Sequence, residues 1–527
     1  LYFLSFAMLK AGNYCRFARR NQVLLKTQRR LWQSSREATK ALGRCRQPAA
    51  LIRVVKSSHS KNLIDGVFCA AALHRLSLLS RQNGDGELAA WKLCYGEAMQ
   101  HLESFGAQEL AVAALAMAKA RPPMSKDLLE QLLGRVLPGL HLNSTALPIR
   151  YCANLLWATA AIRHEHPLTR ALFQEVEVAC HQPWRHGRCN ARDFSQVCWA
   201  FASSGRHMGG LRVIESSAQH QGTILESYSD HDVATTIWAV ATMSCPGPQG
   251  SGFLERLMEA ACEKDFAPQG LSMTFWGLAT LAPSIRRATV EQLLAALVPK
   301  VLQHAGNLAP QGASNILWAV ATLEAQQEPS HGVIALDEGL RLRLVEAVSY
   351  SLTQQLQQCN GQDIANALWA LANLGIKTDV LFPKVCECFQ DLPSHSFSAQ
   401  NCANILWALV RQDRDLDLRD FAKAIATRAS NFSSDWDEQS LSISVWALAV
   451  LGQRTSSLPL LKALTSDLEE LRKFSSESLS VFAWTCGLLG VETHPTPLLA
   501  LVINKRADSL TIEHLSSMLI AFARIWP

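Results

Sequence analysis

The sequence predicts an all-α protein, a right-handed α-solenoid of about twelve helix-pair repeats of roughly 38 residues each. Three observations predict it. A tryptophan-centred segment recurs along most of the chain, a small residue precedes each of these tryptophans by four positions, and helix-start and helix-stop chemistry brackets the copies.

The segment reads YCANLLWATA at 151, FSQVCWAFASSG at 194, VATTIWAVATM at 233, LSMTFWGLATL at 271 and ASNILWAVATL at 313. It returns as IANALWALANLG at 364, CANILWALV at 402, LSISVWALAVLG at 441 and LSVFAWTCGLLG at 479. The aligned residues are Trp157, Trp199, Trp238, Trp276, Trp318, Trp369, Trp407, Trp446 and Trp484, spaced by 42, 39, 38, 42, 51, 38, 39 and 38. Nine of the 14 tryptophans in one column exclude coincidence. Weaker copies at 66 (GVFCAAALHRL), 111 (AVAALAMAKA) and 515 (LSSMLIAFARI) are the degenerate ends that a stack of repeats requires.

Each repeat begins with the tryptophan helix. Position −4 from Trp is small throughout (Ala153, Ser195, Ala234, Ser272, Ser314, Ala365, Ala403, Ser442, Ser480), and position +3 is small in most copies, as at Ala160, Ala202, Ala321 and Ala372. Positions −4, 0 and +3 share a helix face, so neighbouring helices are expected to approach closely around the indoles, which are expected to form the repeat core. Starts such as Phe266-Ala267-Pro268-Gln269 and Leu308-Ala309-Pro310-Gln311 put Pro at the first helical position, where its missing N–H costs nothing. Gly205, Gly375, Gly452 and Gly490 follow their tryptophans by six residues and mark helix ends. The second helix is a plainer amphipath, as in Val290, Leu293, Leu294, Leu297 and Val301. Insertions are expected near 325–339, which accounts for the 51-residue spacing, and at 244–252.

Charge separates the N-terminus from the array. Residues 1–64 hold 14 Lys or Arg and one acid, a balance of +13 against +5 for all 527 residues, which leaves −8 for the remainder. An Arg-rich, acid-poor, Ser-containing lead is the composition of an organelle-targeting segment, so residues 1–55 are expected to be a disordered transit peptide, mitochondrial before plastid, and 56–527 the array. Met8 reads as a start. The 15 cysteines scatter through apolar helical patterns, as buried thiols in a reducing compartment do. Cys180, His181, His186 and Cys189 lack zinc-module spacing, and Asp413, Asp415 and Asp417 lack the glycine and terminal glutamate of a calcium loop. No metal site and no cofactor is expected. The absence of phosphate-loop, dinucleotide, zincin and nucleophile-elbow motifs gives no reason to expect an enzyme or a small-molecule substrate. No run of 18 apolar residues suggests a membrane span.

One pattern is left over. Positions −7, −3 and +4 from Trp read as a polar stripe, assigned here to a face apart from the small–Trp–small face. They are Arg192/Gln196/Ser203, His231/Thr235/Thr242, Gln269/Met273/Thr280, Gln311/Asn315/Thr322, Gln362/Asn366/Asn373 and Gln400/Asn404/Arg411. Asn, Gln, Ser, Thr and Arg can match base edges, and helical repeats can read single-stranded RNA one base at a time. The competing reading is an amide ladder bonding one repeat to the next. Basic residues follow the helix at Arg163, Arg206, Lys377, Arg411, Arg414 and Arg454, where they complement the helix dipole or pair with phosphates.

Ala365-Asn366-Ala367-Leu368-Trp369-Ala370-Leu371-Ala372-Asn373-Leu374-Gly375, with Pro-Gln before sister copies, resembles the octotricopeptide-repeat family, and the array is similar to those of RNA-editing substrate-binding complexes and FAST-kinase-like proteins. The Pro-Pro-Pro-Glu-Trp element of the family's second helix is absent. The resemblance implies binding of single-stranded organellar RNA in processing, stability, translation or ribosomal RNA assembly, with ribosomal or RNA-processing proteins as further partners. The alternative is an armadillo- or HEAT-like scaffold that binds protein.

Overall fold

The computed structural model describes residues 34–79, 85–142, 148–181, 189–243, 252–326, 337–376, 381–393, 396–411, 419–429, 436–453, 474–489 and six positions between 511 and 520. Among the described residues the regular structure is α-helix with short 3-10 turns, and there is no strand. Contacts divide the chain into two compact units, Leu1–Phe253 and Leu254–Pro527, a division that the even repeat pattern did not announce.

In the first unit, helical residues 34–44 lead into α1 (Pro48–Ser60), α2 (Gly66–Leu79), α3 (Asp85–Gln100), α4 (Ala107–Ala120), α5 (Ser125–Leu142), α6 (Ile149–Ile162), α7 (Pro167–His181), α8 (Ala191–Ser203), α9 (His207–Thr223) and α10 (Asp230–Met243). Helices pack on their next-but-one neighbours. The even-numbered series α2, α4, α6, α8 and α10 forms one layer, and the odd-numbered helices pack on that layer and on one another. The second unit repeats the scheme. Pro268–Leu281 (α12), Pro310–Ala325 (α14), Gly361–Asn373 (α16), Ala399–Arg411 (α18), Glu438–Val450 (α20) and Ser476–Leu489 (α21) pack in succession. Phe253–Cys262 (α11), Arg287–His304 (α13), Glu338–Gln354 (α15), Leu381–Cys388 (α17) and Arg419–Ala429 (α19) make up the other layer.

The basic N-terminal segment is partly folded, which corrects the expectation of disorder over 1–55. Leu42, Cys45, Leu51 and Val55 are buried, and the Arg75 guanidinium donates to the Cys45 carbonyl at 2.9 Å. The cause is the apolar side chains spaced among the cations, which let α1 pack against α2 and α3. Residues 1–33 lie outside the described residues.

Small residues at −4 and +3 do what their size allows. Ala153, Ser195, Ser314 and Ala365 are buried, as are Ala160, Ala202, Ala321 and Ala372. Successive tryptophan helices therefore meet nearly backbone to backbone. The two serines add a polar tie between repeats. Ser195 donates to Asp232 Oδ1 at 2.9 Å and Ser314 to Asp363 Oδ1 at 3.4 Å, each aspartate belonging to the next tryptophan helix. Apolar residues ten positions before Trp, such as Tyr228, Phe266, Leu308 and Phe397, are buried and staple the helix entry. Most described thiols are buried as well, and burial pushes those of Cys152 and Cys402 up to about 12.

Candidate functional site

The indoles stand at the rim of the repeat core, mostly buried but open along one edge. The largest fully buried side chains include Phe194, Phe201, Phe275 and Tyr228, whereas all nine aligned tryptophans stand partly open to solvent. Helical geometry gives the reason. At about 100° per residue, positions −7, 0, +4 and −3 fall within roughly 60° of one another, and the small −4 and +3 positions lie on the far side of Trp. The indole sits on the border. One side leans on the next helix through the small residues, and the other belongs to the polar stripe. The stripe and the tryptophan column are therefore one face and not two.

This face is the open side of each tryptophan helix. In α16, Gln362 is exposed, Asn366, Trp369 and Asn373 are half-buried, and Ile364, Ala365, Ala367, Leu368, Ala370 and Leu371 between them are buried. The same rhythm holds Arg192, Gln196 and Trp199 in α8, Gln269 and Trp276 in α12, Gln311, Asn315 and Trp318 in α14, and Gln400, Asn404, Trp407 and Arg411 in α18. It also adds residues that the sequence pattern alone did not single out. Arg150 and Asn154 flank Trp157, and Gln439 precedes Trp446, so −7 is Gln in five successive repeats of the second unit. Their offset from Trp was the available signal.

Along the face the rings line up. In the first unit the Trp157 and Trp199 centroids are 5.8 Å apart with planes inclined by 31°, and Trp199 and Trp238 are 6.5 Å apart at 30°. In the second unit Trp276 and Trp318 stack at 6.4 Å, and Trp369 and Trp407 at 6.2 Å. These are offset-stacking distances. The Arg411 guanidinium lies 4.5 Å over the Trp407 ring, a cation held flat on the ladder.

The amide-ladder reading does not describe the polar members. Gln269, Gln311, Asn315, Gln362, Asn366, Gln400 and Asn404 make no side-chain hydrogen bond among the described residues, and the serine–aspartate pairs tie the repeats instead. Asn373 turns back onto the Trp369 carbonyl at 2.9 Å, as Thr242 and Thr280 do onto Trp238 and Trp276. Three stripe atoms, Gln196 Oε1, Thr235 Oγ1 and Thr322 Oγ1, are buried without a partner. Such atoms ask for water or a ligand.

Charge on the face is uneven. The first unit presents Lys119, Arg150 and Arg192 on the face, and Arg163 just past the helix end, to solvent, with none of them in an ion pair among the described residues, whereas Arg411 is the described stripe cation of the second. Two acids lie beneath. Burial pushes the carboxyls of Asp193 and Asp363 up, against the pull of Arg150 and Arg192 on the former and of the Asn360 amide and Ser314 hydroxyl on the latter. Lys377 and Arg454 lie outside the described residues, as do most of the expected insertion and the Cys180/His181/His186 side chains. No group of three or more His, Cys, Asp or Glu among the described residues could hold a metal ion, and no helix among them is long and apolar enough to cross a membrane.

No family model matches the chain, and no curated protein matches it significantly.

Proposed function

We propose that the array is a right-handed α-solenoid of about twelve repeats, of octotricopeptide-repeat type, whose tryptophan face binds single-stranded RNA in a mitochondrion or plastid. The protein acts as a binding adaptor in RNA processing, stability, translation or ribosomal RNA assembly, and not as an enzyme. The observation that carries this reading is the row of half-open indoles flanked by amides that have no partner among the described residues. A partnerless Asn or Gln at a fixed step offers hydrogen bonds to base edges, and the ring rims and Arg411 offer stacking surface. The basic lead over residues 1–64 supports the organelle.

The test is fluorescence anisotropy with single-stranded RNA oligonucleotides, comparing the protein with its Asn315→Ala/Asn366→Ala/Asn404→Ala variant. These amides bond nothing in the fold, so thermal stability stays within about 0.5 kcal/mol per site while affinity drops about tenfold or more. Equal affinity in the two proteins, or no RNA recovered above background after crosslinking in cells, ends the RNA reading.

One observation favours the second reading, a protein-binding scaffold. Large apolar side chains stand exposed in α2 and α20, with Val67 52%, Leu78 50% and Val450 41% exposed. A peptide ligand would bind there and be indifferent to the three-amide variant.

A further inference from the structure

We propose that a cavity of about 580 Å³ at the meeting of the α4–α5 and α6–α7 junctions is a phosphate-binding site, which takes a backbone phosphate of the strand lying on the tryptophan face. The proposal rests on the RNA reading for its ligand and on the local geometry for the site.

The wall carries three cations, Arg121, Lys126 and Arg163, and no carboxylate. Arg121 donates through Nη2 to the Ala161 carbonyl at 3.0 Å, which pins its guanidinium at the rim. Arg163 and Lys126 have no hydrogen-bonding or ion-pairing partner for their charged groups among the described residues. The nearby Glu130 carboxylate is already engaged by His166 at 3.3 Å, and Glu165 is exposed outside the wall. Ala161 stands at the +4 stripe position of α6, so the cavity adjoins the face on which the strand would run.

The backbone marks the two arginines, which share a positive φ with Asn62 alone among the described non-glycine residues. Both are left-handed, with φ 51° at Arg121 and 53° at Arg163, and both stand six residues past the column position of their helices, Leu115 and Trp157. Sister repeats place glycine there, with φ 69° at Gly205, 63° at Gly375 and 72° at Gly452. A side chain in this conformation is strained, and glycine is the residue that relieves it. Attraction to the helix C-terminus accounts for a cation somewhere in the last turn and not for one at its least comfortable position. Two arginines held there in successive repeats, aimed with a lysine at one acid-free cavity, make a built anion site.

The Arg121→Gly/Arg163→Gly variant separates folding from binding, because it installs the residue that the helix ends at Gly205, Gly375 and Gly452 already use. Its melting temperature should equal or exceed that of the parent. Its affinity for single-stranded RNA should fall roughly tenfold. The slope of log K against log salt should become shallower by about 0.7 for each phosphate no longer neutralised. A second arm uses pyrophosphate at matched ionic strength, which should raise the melting temperature of the parent and not of the variant. Lys126→Gln, an exposed single change, should show both effects in part and guards against a variant that misfolds. Unchanged RNA affinity, salt slope and pyrophosphate shift in the folded variants overturn the site. If the parent binds no RNA yet keeps an arginine-dependent pyrophosphate shift, the RNA reading falls and the anion site stands.

Discussion

At the scale of single residues, what matters is which side of the helix border a group occupies. Phe275 is sealed in the core and Trp318, one repeat on, is open at its rim, although both are large aromatics of the same motif. Phe275→Ala should cost about 3–5 kcal/mol. Trp318→Ala leaves no sealed cavity and forfeits chiefly its stack on Trp276, so it should cost about 2 kcal/mol. Urea denaturation measures both, and equal losses would return the indoles to the core. Asp363 gives a pH signature. Burial lifts its folded pKa above the ordinary 3.8, so its folded form holds the proton to higher pH than the unfolded chain does. Its contribution is therefore greatest below that ordinary value and is lost as pH rises through the raised folded one. Stability of the Asp363→Asn variant should fall less over that acid window than stability of the parent. A steeper fall in the variant contradicts the raised pKa.

The element to consider is the tryptophan helix with its two ends. Its start was readable from Pro268, Pro310 and the buried residues Phe266 and Leu308 before them, and its end from Gly205, Gly375 and Gly452. What the one-dimensional pattern left ambiguous was the face to which Trp belongs, because an indole beside alanines looks like core. Only the neighbouring helix, drawn close by Ala153 or Ser195, showed that the indole is stranded at the rim. Two changes probe the element. Gly375→Ala forces a side chain into φ 63° and should cost about 1 kcal/mol. Ser195→Ala removes the donor to Asp232 Oδ1, leaving that carboxylate only its Ser229 partner, and should cost about 1 kcal/mol. A thermal melt reads both. A neutral Ser195→Ala would mean that the serine is there for its size alone.

At the scale of the whole molecule, stability should be a sum of neighbouring interfaces, because within each unit the successive tryptophan helices pack on one another. Met117→Ala in α4 and Val240→Ala in α10 empty two fully buried positions on helices separated by α6 and α8. Their denaturation free energies should add to within about 0.5 kcal/mol. A coupling beyond about 1 kcal/mol would deny the nearest-neighbour description of the first unit. The same layered arrangement explains why the polar stripe stays accessible: the tryptophan helices cover one another and are covered by the second layer, which leaves one narrow face over.

The amino-acid sequence by itself determined the helical class, the length of the repeat, the position of each tryptophan helix and the identity of the polar residues. Periodicity and turn chemistry are local properties, and local properties are written along the chain. Tertiary structure decided that the indoles stay partly open, that serine–aspartate pairs tie repeats where the stripe amides were candidates, that residues 34–64 of the basic lead are folded, and that Arg121, Lys126 and Arg163 surround one cavity. Each of these depends on how close a second helix comes, and that distance is set by packing between residues roughly one repeat apart in the chain.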